Sequence, residues 1–155
     1  MDRIDQRILT LLQENSQISN QALADAVALS PSPCLRRVKQ LEEQGIIQKH
    51  VALLDPEKLG LTLTVFVMIG LNSHAQEKMS HFEKSVEVLP EVIECHMITG
   101  QQADYMLKVI IQDMDHYQTL LMNTLTSIDG VNSVQSSFAL KSIIDKTVLP
   151  VNHLE

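Results

Sequence analysis

The run from Leu63 to Leu71 constrains the fold more than any other segment, because its apolar residues fall on both sides of a β-strand. Successive side chains of a strand point to opposite faces. Val65 and Val67 therefore share one face, and Phe66 and Met68 share the other. A strand that is apolar on both faces needs a covering layer on each side of its sheet. The chain is expected to build a sheet with two such layers around this strand.

The residues after this strand follow the order of a ferredoxin-like domain. Apolar residues at helical spacing predict helices over residues 75–89 and 114–128. Apolar runs predict further strands over 92–99, 105–111 and 134–140. The order β-α-β-β-α-β, joined to a helical first half, gives an α+β fold class. Two helices cover only one face of the sheet, so we predict that the other face packs on a second subunit in a homodimer.

The first fifty residues have helical periodicity. Ile4, Ile8 and Leu11 form an apolar stripe on a first helix, which is expected to end near Asn15. Ser19 has the chemistry and spacing of an N-cap for a short, alanine-rich second helix. Small side chains of this kind suit a helix that packs closely against another helix.

A third helix is predicted over residues 31–44, with prolines tolerated in its first turn and Gly45 as its stop. Leu35, Val38 and Leu41 are expected on its inner face. This face would pack against the first two helices and leave the remaining side chains of the helix in solvent.

The outer face of this third helix is basic. No acidic residue lies between Asp25 and Glu42, whereas residues 36–39 include three cations. Three helices with a tight turn before the last are the plan of a helix-turn-helix, whose final helix enters the major groove of DNA. We predict DNA contacts from Ser30, Ser32, Pro33, Arg36, Arg37, Lys39 and Gln40. Charge alone fits an ordinary solvated helix face equally well, so that alternative stays open here.

The two halves of the chain are joined by a segment with a different pattern. Alternating residues over 45–54 indicate a strand, either a wing or a connector. Pro56 and Gly60 punctuate a charged segment that is typical of a hinge. We therefore divide the chain into a winged helix-turn-helix DNA-binding domain at 1–55, a hinge at 56–62 and an effector-binding and oligomerisation domain at 63–155.

The distribution of charge supports this division into a DNA-binding half and a second half with another role. The net charge is −7, but residues 1–50 contain six basic and six acidic side chains and are neutral. The second half therefore carries the whole negative charge, and the local basic patch in the first half is the part suited to DNA.

Several other classes of protein are not indicated. No apolar run reaches the roughly 18 residues of a membrane span, and the first residues lack the pattern of a signal peptide, so we expect a cytoplasmic protein without membrane contact. Cys34 and Cys95 do not form a disulfide framework, and the histidines do not pair at metal-ligand spacings. Because no catalytic or nucleotide-binding motif is present, we predict no metal, no cofactor and no enzymatic activity.

The sequence closely resembles the Lrp/AsnC ("feast/famine") regulators over nearly its whole length, and leucine-responsive members look closer than asparagine-responsive ones. The resemblance lies in residues 18–20, 29–47, 52–56, 94–100, 104–109, 113–117 and 130–131, with the Ser-Pro-x-Pro-Cys segment at 30–34 the most specific part. It implies a winged helix-turn-helix followed by a dimerising βαββαβ domain of the RAM/ACT type. It also implies double-stranded DNA and an amino acid as ligands, and assembly of dimers into octamers or related rings.

The resemblance further implies where the effector binds, namely between C-terminal domains against a Gly-x-x-Asp turn. The corresponding residues here are Thr99, Gly100, Gln101, Gln102, Ala103 and Asp104. Backbone N–H groups of such a turn can hold a carboxylate, and Asp104 can pair with an ammonium group. Gln101 stands where many members have Asp or Glu, and the loop is one residue longer than in the family pattern. The apolar surroundings and the resemblance indicate Leu or Met as the effector.

The sequence as a whole predicts a sequence-specific, DNA-binding transcription regulator that responds to a small amino acid and controls amino-acid metabolism or nutrient-response genes. The alternative is a stand-alone amino-acid-binding regulatory module that acts through protein partners. The basic window at 36–39 favours the first interpretation.

Overall fold

The computed structural model describes residues 1–100 and 102–151. The chain folds into two compact units. One consists of residues 1–53 together with the described part of the segment that starts at Ile143, and the other consists of residues 54–142. In the described residues, none of the helices has the length and hydropathy that crossing a membrane requires.

The first unit contains the three predicted helices, α1 (Arg3–Glu14), α2 (Asn20–Ala26) and α3 (Pro31–Glu43). The Ser19 hydroxyl accepts a hydrogen bond from the Ala22 N–H at 3.2 Å, so the predicted N-cap of α2 is confirmed. These helices agree with the helix-turn-helix expectation in number, order and length.

The core of this unit shows one error in the predicted inner face of α3. The fully buried residues include Ile8, Ala24 and Cys34, with Leu41 only 3% exposed, but Leu35 is 44% exposed. The stripe that packs inward is Cys34, Val38 and Leu41, at the helical spacing i, i+4 and i+7. Leu35 lies one residue from this stripe, which rotates it by about 100° toward solvent.

The strand expected over residues 45–54 is not formed. Gly45 ends α3 with a φ of +71°, a left-handed conformation that glycine adopts without strain, and residues 46–55 form neither helix nor strand. A strand needs a neighbour for its N–H and C=O groups. In the described part of the chain no other segment pairs with this one, and Leu53 and Leu54 are about 70% exposed. The 56–62 segment contains one short 3₁₀ turn, Glu57–Leu59; its action as a hinge stays a prediction.

The second unit confirms the βαββαβ order and the α+β class. Its elements are β1 (Leu63–Leu71), α4 (Gln76–Glu87), β2 (Val92–Met97), β3 (Tyr105–Ile111), α5 (Met114–Asn123) and β4 (Val131–Phe138). The strands form one antiparallel sheet in the order β2-β3-β1-β4. This order is that of a ferredoxin-like fold, because the two strands of each β-α-β unit are separated by a strand of the other unit.

The two faces of this sheet differ in burial. Val65 and Val67 of β1 and Leu107 of β3 are fully buried against α4 and α5. Phe66 and Met68, on the opposite face, are only half-buried. The expected double-sided apolar character of β1 is therefore present, and one chain supplies a covering layer to one side only.

The C-terminal segment associates with the first unit. The Gln13 side chain accepts a hydrogen bond from the Leu149 N–H at 2.7 Å and donates one to the Leu149 carbonyl at 3.2 Å. Val151 packs against the helical core. The described residues from 143 onward thus lie with the helices, whereas the sequence-based division placed them in the 63–155 domain.

Candidate functional sites

The outer face of α3 brings together four of the seven residues predicted to contact DNA. A surface groove of about 530 Å³ is lined by Ser32, Leu35, Arg36, Lys39, Gln40 and Glu43. Arg36 and Lys39 are exposed and have no ion-pair partner within the described residues. Ser30 is the exposed N-cap residue of the helix, and Pro33 is half-buried in its first turn. Leu35 was not among the predicted contacts.

The electrostatics of this face change along the helix. Its first eleven residues, 31–41, contain no acidic side chain, while Glu42 and Glu43 occupy its C-terminal end. Glu42 lies 3.5 Å from the imidazole of His50. The two exposed cations without an ion-pair partner in the described residues, Arg36 and Lys39, lie near the middle of α3. Arg36 belongs to the N-terminal half, which is the half that meets base edges in helix-turn-helix proteins.

Arg37 occupies a different position from the other predicted contacts. Its guanidinium lies 2.7 Å from Asp5 and 2.8 Å from Asp2, at the N-terminus of α1. Asp2 and Asp5 also form a reciprocal capping box, in which each carboxylate accepts the other residue's backbone N–H. The Asp5 N–H, followed by Arg37, lowers the pKa of Asp2, and the hydrogen bond to Asp5 raises the pKa of Arg37. Arg37 thus joins α3 to α1.

We expect Arg37→Ala to reduce the stability of the fold and Arg36→Ala to leave it unchanged. Arg37→Ala should lower the melting temperature by a few degrees, because it removes two ion pairs that hold the end of α1. Arg36→Ala should leave the melting temperature unchanged, since its side chain has no partner in the described structure. Differential scanning calorimetry compares the two variants directly. Equal melting temperatures for both would contradict the structural role of Arg37.

The loop between β2 and β3 carries the predicted effector residues. Thr99, Gly100 and Gln102 are exposed and Ala103 is half-buried, while Gln101 lies outside the described residues. Gly100 has a φ of +88°, which a side chain would strain. The Ile98 N–H donates to the Asp104 carbonyl at 2.9 Å and closes the base of the loop.

Asp104 anchors this loop to the end of β1. One carboxylate oxygen accepts the Leu71 N–H at 2.7 Å, and the other lies 2.7 Å from Nε2 of His74. The Asp104 N–H also donates to the Ile69 carbonyl at 2.8 Å. The hydrogen bond from Leu71, followed by that of His74, holds the pKa of Asp104 below its usual value. The carboxylate is therefore ionised at neutral pH and available to a cation.

A second surface cavity does not coincide with the predicted effector loop. It measures about 430 Å³ and lies between α4 and β2, with Glu83, Glu94, Cys95 and Tyr105 among its lining residues. None of the described loop residues 99, 100 and 102–104 lines it. The predicted effector loop is therefore separate from this cavity, and its role in binding an effector stays a prediction.

The cysteines and histidines are not brought together. Cys34 is fully buried, and burial raises the pKa of its thiol, so the helix N-terminus does not activate it. Cys95 is a free, exposed cysteine on β2. Over residues 1–100 and 102–151, no three His, Cys, Asp or Glu side chains are arranged to hold a metal ion.

A three-helix unit whose last helix exposes cations, joined to a ferredoxin-like unit, is the plan of a DNA-binding transcription regulator with a separate regulatory domain. Residues 1–48 match the family model "Winged helix-turn-helix DNA-binding", and residues 64–149 match "Lrp/AsnC ligand binding domain". The chain belongs to the Lrp/AsnC family.

Relatives of known function share nearly the whole chain. The Bkd operon transcriptional regulator of Pseudomonas aeruginosa is 42% identical over 151 residues, which cover 97% of this chain and 98% of that protein. The leucine-responsive regulatory protein of Escherichia coli is 43% identical over 143 residues, covering 92% and 87% of the two chains. These relatives confirm that the protein is a DNA-binding transcription regulator.

Solved structures agree over both units. A transcriptional regulator from Neisseria meningitidis, crystallised as an L-Met complex, superposes with a TM-score of 0.96 at 44% identity, covering 100% of this chain and 99% of that one. AsnC of Escherichia coli superposes with a TM-score of 0.89 at 29% identity, covering 97% and 99%. The neighbour solved with methionine supports an amino-acid effector for the second unit.

Proposed function

We propose that this protein is an amino-acid-responsive regulator in which α3 reads the major groove and the loop at 99–104 binds the effector. The observation that carries the proposal is the exposed face of α3, where Arg36 and Lys39 have no ion-pair partner among the described residues and share a groove with Ser32 and Gln40. Arg and Gln are side chains that form paired hydrogen bonds with guanine and adenine, and cations beside them neutralise phosphates.

We propose Leu or Met as the effector. Backbone N–H groups at Gly100 are suited to the effector's carboxylate, and Asp104 is suited to its ammonium group. His74 is largely exposed, at 72% of its side chain, so it can release the Asp104 oxygen to an incoming ammonium group. The methionine bound by the Neisseria relative supports this ligand class.

We further propose a homodimer that assembles into octamers, as the resemblance to the family implies. The open sheet face supports the dimer, because Phe66 and Met68 on β1 and Met106 on β3 are half-buried apolar side chains on that face, beside Lys108. A second sheet on this face would supply the missing layer. Sedimentation velocity tests the assembly, and a monomer at micromolar concentration would contradict it.

The proposed function is tested by footprinting the protein on its own promoter and by a thermal-shift screen against the twenty amino acids. We expect a protected site whose affinity falls steeply with salt, and a raised melting temperature with Leu or Met. An effector changes DNA affinity only as far as it binds two states of the protein unequally, so the amino acid found should also shift the footprint. Effector binding without any footprint would favour the module that acts through protein partners.

A further inference from the structure

Helix α3 presents an exposed leucine within its otherwise polar outer face. Leu35 is 44% exposed, whereas Leu41, the other leucine of this 13-residue helix, is 3% exposed. Single exposed leucines are common on protein surfaces, so exposure alone has no functional meaning. The neighbours of Leu35 on the helix are what distinguish it.

Leu35 lies between the polar groups that are suited to DNA. Residues three and four apart on a helix are neighbours, so Ser32 adjoins Leu35 on one side and Lys39 adjoins it on the other. Arg36 is the next residue, and all four line the same groove of about 530 Å³. The apolar side chain is thus placed beside a hydroxyl group and two cations without partners in the described structure. Any surface that these cations attract is brought against Leu35 as well.

Among the DNA bases, thymine presents an apolar group in the major groove, its C5-methyl. Leu35 lies in the second turn of α3, within the N-terminal half that meets base edges. We propose that Leu35 contacts a thymine methyl group in each half-site and thereby helps to determine which DNA sequence the protein prefers. This inference rests on the proposed function, since it requires α3 to enter the major groove.

Replacement of thymine by uracil tests the contact, because uracil keeps the pairing with adenine and lacks only the methyl group. The wild-type protein first selects its preferred duplex from a random pool, and each thymine of that duplex is then replaced by deoxyuridine in turn. Loss of one buried methyl group should weaken binding about fourfold at one thymine of each half-site. Leu35→Ala should bind the thymine and uracil duplexes equally.

Two further variants serve as controls for this experiment. Leu59→Ala removes a leucine that is 58% exposed outside α3, and it should show the wild-type pattern. Leu35→Met keeps an apolar tip and should remain sensitive to the methyl group. Melting curves of each variant confirm that it is folded.

The inference would be overturned by a wild-type protein indifferent to every thymine-to-uracil change in the half-site. It would also fail if Leu35→Ala lost affinity at the same thymine as the wild type. In both cases the protein still selects a sequence, and the proposed function stands. Failure of the proposed function looks different, since the wild-type protein would then enrich no sequence at all.

Discussion

Replacing Arg36 and Lys39 together by alanine should remove most of the sequence-specific DNA affinity. Arg36 is expected to contribute about 1–3 kcal/mol through a base contact, which is about 5- to 150-fold for each half-site. The two half-sites of a symmetric site multiply this factor, so the loss there should be about thirtyfold or more. Lys39 is expected to contact phosphate, so its loss should weaken binding to all sequences and lower the slope of log affinity against log salt by about one per subunit. Titrations by fluorescence anisotropy at several salt concentrations measure both effects.

The matched control for this double variant is Lys84→Ala, which removes an exposed cation from the last turn of α4 in the other unit. It should leave affinity, sequence preference and salt slope unchanged. A double variant with the wild-type salt slope would show that the outer face of α3 does not touch DNA. The circular dichroism of both variants should match that of the wild type, because the removed side chains are exposed and have no ion-pair partner in the described part of the chain.

Asp104→Asn should weaken effector binding by about ten- to a hundredfold. The loss of the negative charge should remove the proposed charge-assisted hydrogen bond to the effector's ammonium group, and such a bond contributes roughly 1.5–3 kcal/mol. The asparagine oxygen can still accept the Leu71 N–H, so the anchor between loop and β1 is retained. Isothermal titration with Leu and with Met measures the change. Asp129→Asn is the control, since it removes a carboxylate paired with Lys78 in the same unit, outside the loop.

The stability of the Asp104→Asn variant should depend on pH differently from that of the wild type. The pKa of Asp104 is lowered in the folded protein, so its carboxylate contributes stability that is present above the unfolded pKa, near 4, and is lost as pH falls through the lower folded value. Asp104→Asn should therefore lose less stability than the wild type between pH 5 and the folded pKa. Equal acid sensitivity, together with wild-type affinity for Leu and Met, would remove Asp104 from the effector site.

The order of helices and strands could be predicted from the sequence because local periodicity and tertiary burial agree. Strands β1 and β3 begin and end at the predicted residues, since their apolar runs are bounded by polar and glycine-containing segments. The segment at 45–54 alternates in part but has no strand partner in the described chain. Alternation reports which residues could share a face; it does not report whether another strand is present to accept the hydrogen bonds.

The side-chain roles on α3 were harder to predict because they depend on contacts distant in sequence. Arg37 and Arg36 are adjacent residues of the same type. Only the ion pairs with Asp2 and Asp5, more than thirty residues away in the sequence, show that Arg37 has a structural role. The Asp-x-x-Asp spacing at the start of α1 was an available signal for a capping box. Leu35 was wrongly predicted to face inward because it can be grouped with Val38 and Leu41 on one side of α3. Cys34 fits the same two residues at a better helical spacing, and the stripe of Cys34, Val38 and Leu41 leaves Leu35 outside. Nothing in the local sequence predicts that His74 lies beside Asp104.

The attachment of Leu149 to Gln13 makes the DNA-binding unit discontinuous along the chain. A protease that cuts once in the exposed segment around Leu53 and Leu54 would leave two fragments, and the larger one would still hold the helices through its own C-terminal residues. Fragments of a nicked protein should therefore elute together until that tail detaches. For the same reason, a tag or fusion placed after residue 151 adjoins the helical unit. A fragment excised from residue 63 onward would include the C-terminal residues that belong to the helical unit.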